Sequence, residues 1–224
     1  MNTCRFILVL PLLISAVTVW STEPTESTTV ALPSPRTDGK VSVEKALKER
    51  RSLRNPEPTP LTLEEIGQLC WAAQGVTDEK GHRTAPSAMA LYPLELYVIA
   101  GAVTGLAPGF YHYEPAIHDL SLVAKGDMRT VVDEKAIGQG WIAKAPAVFV
   151  ISGNASKMAG MKDRGRQFMD VEAGLAAQGF FLEATAMGLG STYVGGFKPL
   201  EARAVLGIPN SEEVLAILPV GRKP

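Results

Sequence analysis

Four cations crowd seven residues near the start of the chain: Lys48, Arg50, Arg51 and Arg54, within KERRSLRNP over 48–56. The 224-residue sequence as a whole is almost neutral, with a formal net charge of −1, so the cluster needs a local explanation. Arginine carries a planar fork of donors that grips a phosphate, or the polar edge of a conjugated ring, with paired hydrogen bonds. Ser52 adds a small hydroxyl beside them. On a helix, Arg50 and Arg54 would share one face and Arg51 another. The same run also reads as a solvated helix face, and these residues alone leave both readings open.

Three further stretches could line a ligand. In APSAMALYPLELYV, 85–98, the residues Ser87, Ala88, Met89, Ala90 and Leu91 lead into an apolar strand. A loop of mostly small residues there would let backbone amides approach a flat ligand, although it reads equally well as a plain connection. GLGSTYVGGF, 188–197, carries Gly195 and Gly196, which permit close backbone approach or a positive φ. PVGRKP, 219–224, places Arg222 and Lys223 just past a strand-like run. Tyr92 and Tyr111 are candidates for handling a substrate proton, and each also fits as a packed aromatic with its hydroxyl bonded.

Other chemistries find no support. His82, His112 and His118 do not have metal-ligand spacing. Gly188-x-Gly190 lacks a third glycine and follows a helical pattern, where a dinucleotide fingerprint follows a strand. A Gly-x-Ser-x-Gly elbow is absent. Near-neutral charge argues against a general nucleic-acid binder.

Several elements must position these residues. Ser42 is placed to cap a helix with apolar Val43, Ala46 and Leu47, running through the arginines to Asn55-Pro56. Thr62 and Glu65 form a capping box for a second helix that buries Ile66, Leu69, Cys70 and Ala73 and ends at Gly75. Strands are expected at 94–100, 146–152 and VLAILPVG, with a hairpin around Pro115. Helices are expected over Asp127–Ala136 and Pro199–Leu206. The longest periodic segment, Arg166–Met187, puts Phe168, Val171, Leu175 and Leu182 on one stripe, with apolar residues over much of the rest. A helix apolar nearly all round is buried on both sides. Helices and strands mix without a strict βαβ repeat, which argues for an α+β fold.

The first 21 residues, MNTCRFILVLPLLISAVTVWS, have the layout of a secretory signal peptide. Their apolar run is shorter than the roughly 20 residues a bilayer span needs, and an uncleaved anchor is the alternative. Residues 22–40, rich in Thr, Ser and Pro, read as a disordered tether. The expected folded domain is 41–224, in an exported protein with no stable membrane span after cleavage. Cys70 is then the only cysteine left, and its place on an apolar helix face marks it as core filler.

Taken in order, Arg-Arg-Ser-x-Arg, PSAMALYPLELYV, DVEAGLAAQGFFLEATAMGLGSTYVGGF, LGIP and LPVGRKP resemble the nitroreductase-like flavoprotein superfamily from about residue 42 onward. The second string looks most like its SagB-type dehydrogenase branch. The resemblance implies a mixed, mainly antiparallel sheet flanked by helices, with a long buried central helix. It implies a homodimer holding FMN at the subunit interface and a ping-pong hydride transfer between an electron donor and a small organic substrate. Arg50, Arg51, Ser52 and Arg54 would hold the FMN phosphate, ribityl chain and pyrimidine edge. Ser87, Ala88, Met89 and Leu91 would line the flavin, Gly195 and Gly196 would give backbone contacts near its ring, and Arg222 would add a phosphate contact. Met89 stands where related sequences often have glycine. A non-catalytic ligand-binding protein of the same fold in the cell envelope is the other reading.

Overall fold

The computed structural model describes residues 28–224, so the signal peptide expected over 1–21 and the first part of the tether lie outside the described residues. The elements are β1 (Thr29–Ala31), α1 (Val43–Glu49), β2 (Leu61–Thr62), α2 (Leu63–Gln74), a 3-10 turn (Ala88–Ala90), β3 (Leu94–Ala100), β4 (Val103–Thr104), β5 (Gly109–Glu114) and β6 (Asp119–Lys125). They continue with α3 (Arg129–Val132), β7 (Ala147–Asn154), α4 (Gly165–Ala186), β8 (Leu189–Ser191), α5 (Pro199–Leu206) and β9 (Glu212–Arg222).

Seven strands form one sheet in the order β1-β6-β5-β3-β7-β9-β8, antiparallel at every pairing. The parallel component is the separate short β2–β4 pair. The sheet is covered on both faces, which is why β3 and β7 read as continuous apolar runs. Leu94, Leu96, Val98, Phe149 and Ile151 point into the layer shared with α2 and α4. Tyr97, Ile99, Val148 and Val150 point into the opposite layer with Val132, Ala202 and Leu206. Pleat alternation sorts neighbouring residues between the two cores.

Helix α2 begins with the expected capping box, Thr62 Oγ1 accepting from Glu65 N–H and Glu65 Oε2 from Thr62 N–H. Cys70 is fully buried among its core residues. Gly179 of α4 meets α2 at close range: a Cβ there would come 2.7 Å from the Ala72 carbonyl oxygen.

Four expectations need correction. Helix α1 stops at Glu49, and Arg50 is non-helical with φ −59° and ψ 122°. Arg50 and Arg54 therefore share no helix face, because the chain leaves the helix to bond the edge of β8. The tether expectation fails for its second half: β1 pairs with β6, Leu32 is buried, and the Gln68 amide bonds both Arg36 N–H and Arg36 C=O. Polar composition hid this strand, whose stability comes from the open edge of β6. The helix expected over Asp127–Ala136 is present over 129–137 and is corrected in its winding: one α turn, α3, passes without a break into a π-helix over Asp133–Ile137, ended by left-handed Gly138. The central helix α4 is buried on one side by this chain: Met169, Ala173, Ala176, Ala177, Phe180 and Ala184 face the core, whereas Val171 and Leu175, on the expected stripe, are 55% and 44% exposed.

Candidate flavin site

After α1 the chain runs along the end of β8 and β9. Leu53 N–H donates to the Ser191 carbonyl at 3.1 Å, and Glu57 N–H to the Arg222 carbonyl at 3.0 Å. Ser52 pairs with Ser191 in a parallel bridge. Gly190 makes this approach feasible, since a Cβ there would lie 2.7 Å from a Leu53 methyl. Backbone bonds thus carry Arg50, Arg51, Ser52 and Arg54 to the strand end that bears Arg222.

The cations here are poorly compensated. Arg51 and Arg54 are exposed and Arg50 is half-buried. Among the described residues none of the three pairs with a carboxylate, in contrast to Arg129, Arg166 and Arg222. Arg51 Nη1 instead donates to the carbonyls of Lys48 and Arg50, at 2.9 and 2.7 Å. Its remaining N–H groups stay available for an anion.

Ser191 supplies an independent sign of a ligand. Its hydroxyl is buried and without a hydrogen-bond partner among the described residues. A buried polar group left unpaired costs about 1–3 kcal/mol, so a donor or acceptor from outside the described chain would relieve it. A phosphorylated polyol such as the ribityl phosphate of FMN has the oxygens to do so. The residues present fit the group.

Arg222, expected to contact phosphate, also holds an ion pair within the chain. Its Nη2 donates to Glu65 Oε1 and Oε2, at 2.9 and 3.1 Å, tying β9 to the N-terminus of α2. Part of its guanidinium is committed to a carboxylate before any phosphate arrives. Gly195 and Gly196 follow Val194, which bridges to Ile217. Neither has a positive φ, so that alternative falls. Both are exposed, and a Cβ at Gly196 would meet nothing within 4 Å. Arg222 lies five residue steps beyond Ile217 on β9, a rise of about 17 Å. The arginine end and the glycine end thus lie along one sheet edge, joined by the segment from Ser191 to Val194.

Ser87, Ala88, Met89 and Leu91 are elsewhere. Ala88 N–H donates to Glu172 Oε1 at 2.8 Å, which fixes this loop at the N-terminal half of α4. Glu172 precedes the C-terminal end of α4 by 14 residues, about 21 Å of helix, and β8 with Ser191 begins beyond that end. One chain therefore does not bring the Ser87–Leu91 loop to its own arginines.

Tyr111 is a core residue: it is buried, and its hydroxyl donates to the Ala107 carbonyl at 2.8 Å. Tyr92 lies at the loop, with the Arg83 guanidinium 4.8 Å from its ring centre. The sequence did not show the unpaired Ser191 hydroxyl, the Glu65–Arg222 pair or the Glu172–Ala88 bond. Residue type could not single out Glu172, because Asp170 and Glu183 are acidic residues of the same helix and its burial is what sets it apart.

Comparison with known proteins agrees with this architecture. Residues 47–222 match the profile of the Nitroreductase family. A provisionally named nitroreductase of Methanocaldococcus jannaschii is 40% identical over 184 residues, covering 82% of this chain and 92% of the relative. The crystal structure of another provisionally named nitroreductase, from Ralstonia eutropha, superimposes with a TM-score of 0.79 at 29% identity, covering 90% of this chain and 92% of that one. The NADPH:FMN oxidoreductase of Vibrio harveyi shares the fold, with a TM-score of 0.59 at 20% identity over 80% of this chain and 68% of its own. An antiparallel sheet with helices on both faces, a long central helix and a match spanning nearly all the described residues place the chain in the Nitroreductase family.

Proposed function

We propose that the protein is an FMN-dependent oxidoreductase working as a homodimer, with each flavin held between two chains. The observation that carries this reading is the set of carboxylate-free arginines packed by backbone bonds beside the orphaned Ser191 hydroxyl. Arg50, Arg51 and Arg54 supply positive charge and forked donors for a phosphate and a pyrimidine edge. Ser52 and Ser191 supply hydroxyls, and the open side of Gly195 and Gly196 admits a flat ring. FMN, when bound, would accept a hydride from an electron donor and return electrons to a second substrate in a ping-pong cycle. Positive charge beside the ring favours its reduction.

The dimer reading rests on two features of this chain. Val171 and Leu175 of α4, and Val43 and Leu47 of α1, leave apolar side chains exposed, and Gly174 lies beside Leu175 with open space where a Cβ would be. A two-fold pairing through these faces would bring the Ser87–Leu91 loop of one chain towards the arginines of the other. The string PSAMALYPLELYV favours a SagB-type dehydrogenase acting on a small heterocycle, and residues 1–21 favour export. No helix among the described residues is long and apolar enough to cross a membrane.

The test is flavin retention. Purified protein should be yellow or should take up added FMN, and Arg51→Ala should weaken FMN affinity about tenfold or more, since a charge-assisted bond is worth roughly 1.5–3 kcal/mol. Unchanged affinity in that variant sinks the phosphate assignment. Anaerobic titration with NADH, NADPH and dithionite, followed through the flavin spectrum, identifies the donor.

A further inference from the structure

The Ser87–Tyr92 loop is built under strain and clamped from several sides. Met89, Ala90 and Tyr92 all have positive φ, at 54°, 55° and 46°. For a residue with a Cβ, the left-handed region costs about 1–2 kcal/mol. Three such residues within four positions do not persist in an exposed loop unless neighbouring contacts over-determine them. Met89 is also 80% exposed, so burial of its side chain in this chain contributes little to holding the turn.

The clamps are specific. Glu172, only 4% exposed on α4, accepts Ala88 N–H through Oε1 at 2.8 Å. Ser87 Oγ accepts Tyr92 N–H at 2.9 Å. Lys157 Nζ donates to the Tyr92 carbonyl at 3.3 Å and to Glu95 Oε1 at 2.6 Å. Arg83 lies over the Tyr92 ring. Lys157 is substantially exposed, and Ser87 acts only within the loop. Among the described residues Glu172 is the hydrogen-bond partner that ties the loop to the central helix, across 84 residues of sequence. A buried carboxylate is costly to desolvate, and an acceptor for one backbone amide at a strained turn is a specific use for it.

We propose that Glu172 is a positioning residue for the flavin reaction: by holding Ala88 N–H it fixes the left-handed turn that presents Met89 and its neighbours to the ligand. This rests on the proposed flavin site, with the loop reaching the cofactor from the second chain. Glu172 touches neither cofactor nor substrate and acts through the loop.

The test separates the loop from the cofactor. In flavin-free protein, amide exchange read residue by residue should show Ala88 protected. Glu172→Ala should speed exchange at Ala88 about tenfold or more, and Glu172→Gln, whose amide oxygen still accepts, should restore most of the protection. FMN affinity, measured by fluorescence quenching, should weaken several-fold in Glu172→Ala and recover in Glu172→Gln. An unprotected Ala88 amide in the unsubstituted protein overturns the proposal without any variant having to fold. A loosened loop with unchanged FMN affinity and an unchanged flavin spectrum overturns the positioning role. Unsubstituted protein that ignores FMN altogether instead sinks the cofactor reading, and the exchange results then still report whether Glu172 holds the loop.

Discussion

His112 sits between two carboxylates, Nδ1 at 2.8 Å from Glu114 Oε1 and Nε2 at 3.1 Å from Glu95 Oε2. Burial alone would push the imidazole down, but its bonds to Glu95 and Glu114 outweigh burial, and its pKa stands above the ordinary 6.5. A group whose pKa is raised by folding contributes stability that is full below its unfolded value and is lost as pH climbs through the folded value. Melting temperature should therefore fall as pH is raised above about 6.5, the unfolded histidine value, and His112→Gln should flatten that slope. An equal slope in the variant would assign the effect to other groups. Glu95 behaves oppositely: burial pushes it up, yet the bonds from His112 and Lys157 bring it below its usual value, so its contribution is lost as pH falls through the folded value. At Cys70, complete burial drives the thiol well above its ordinary range, and thiolate is the reactive form. Native protein should leave Cys70 unmodified by a disulfide reagent that reacts promptly once the chain is unfolded.

Among the elements, α4 organises the molecule. It packs on α2 through Gly179, where a Cβ would meet the Ala72 carbonyl oxygen at 2.7 Å. A backbone carbonyl within a helix cannot turn aside, so Gly179→Ala should separate the helices and cost about 1–3 kcal/mol, read as a lower urea midpoint. Gly174, on the exposed side with nothing within 4 Å, is the control. There alanine should stabilise an isolated chain by up to about 1 kcal/mol through helix propensity. The two glycines looked alike in the periodic pattern, and only the packing separates a contact glycine from an open one. The same holds for the stripe of Phe168, Val171, Leu175 and Leu182. It is a genuine apolar periodicity, but this chain turns much of it outward and buries the narrower face of Met169, Ala173, Ala177 and Phe180. A helix apolar nearly all round offers two solutions, and periodicity does not choose between them.

For the whole molecule, the outward face of α4 and the proposed division of the site between two chains lead to one prediction. Leu175→Glu, at a position 44% exposed in the single chain, should convert a dimer to a monomer in sedimentation and abolish FMN retention together. A desolvated charge at the centre of an apolar interface has no partner to offset it. A monomeric variant with undiminished FMN affinity would show that one chain builds the site alone. Without β1, β6 would be an open edge of the seven-stranded sheet. Residues 29–31 close it at β1 although their composition suggested a tether, because pairing with an open edge needs backbone groups more than apolar side chains.

The elements legible in the sequence were those whose signals are local. The Thr62–Glu65 capping box, the apolar run of β3, the hairpin around Pro115 and the proline-started helix α5 all carry their instructions within a few residues. The arginine cluster was equally visible, and its anion-binding chemistry belongs to the proposed function. Tertiary structure alone decided the rest: where α1 gives way to the bond between Leu53 and Ser191, which face of α4 is buried, that Arg222 meets Glu65 across 157 residues, and that Glu172 holds Ala88. Caps and periodicity report on neighbours along the chain, whereas these contacts join segments that meet only when the sheet order brings them together.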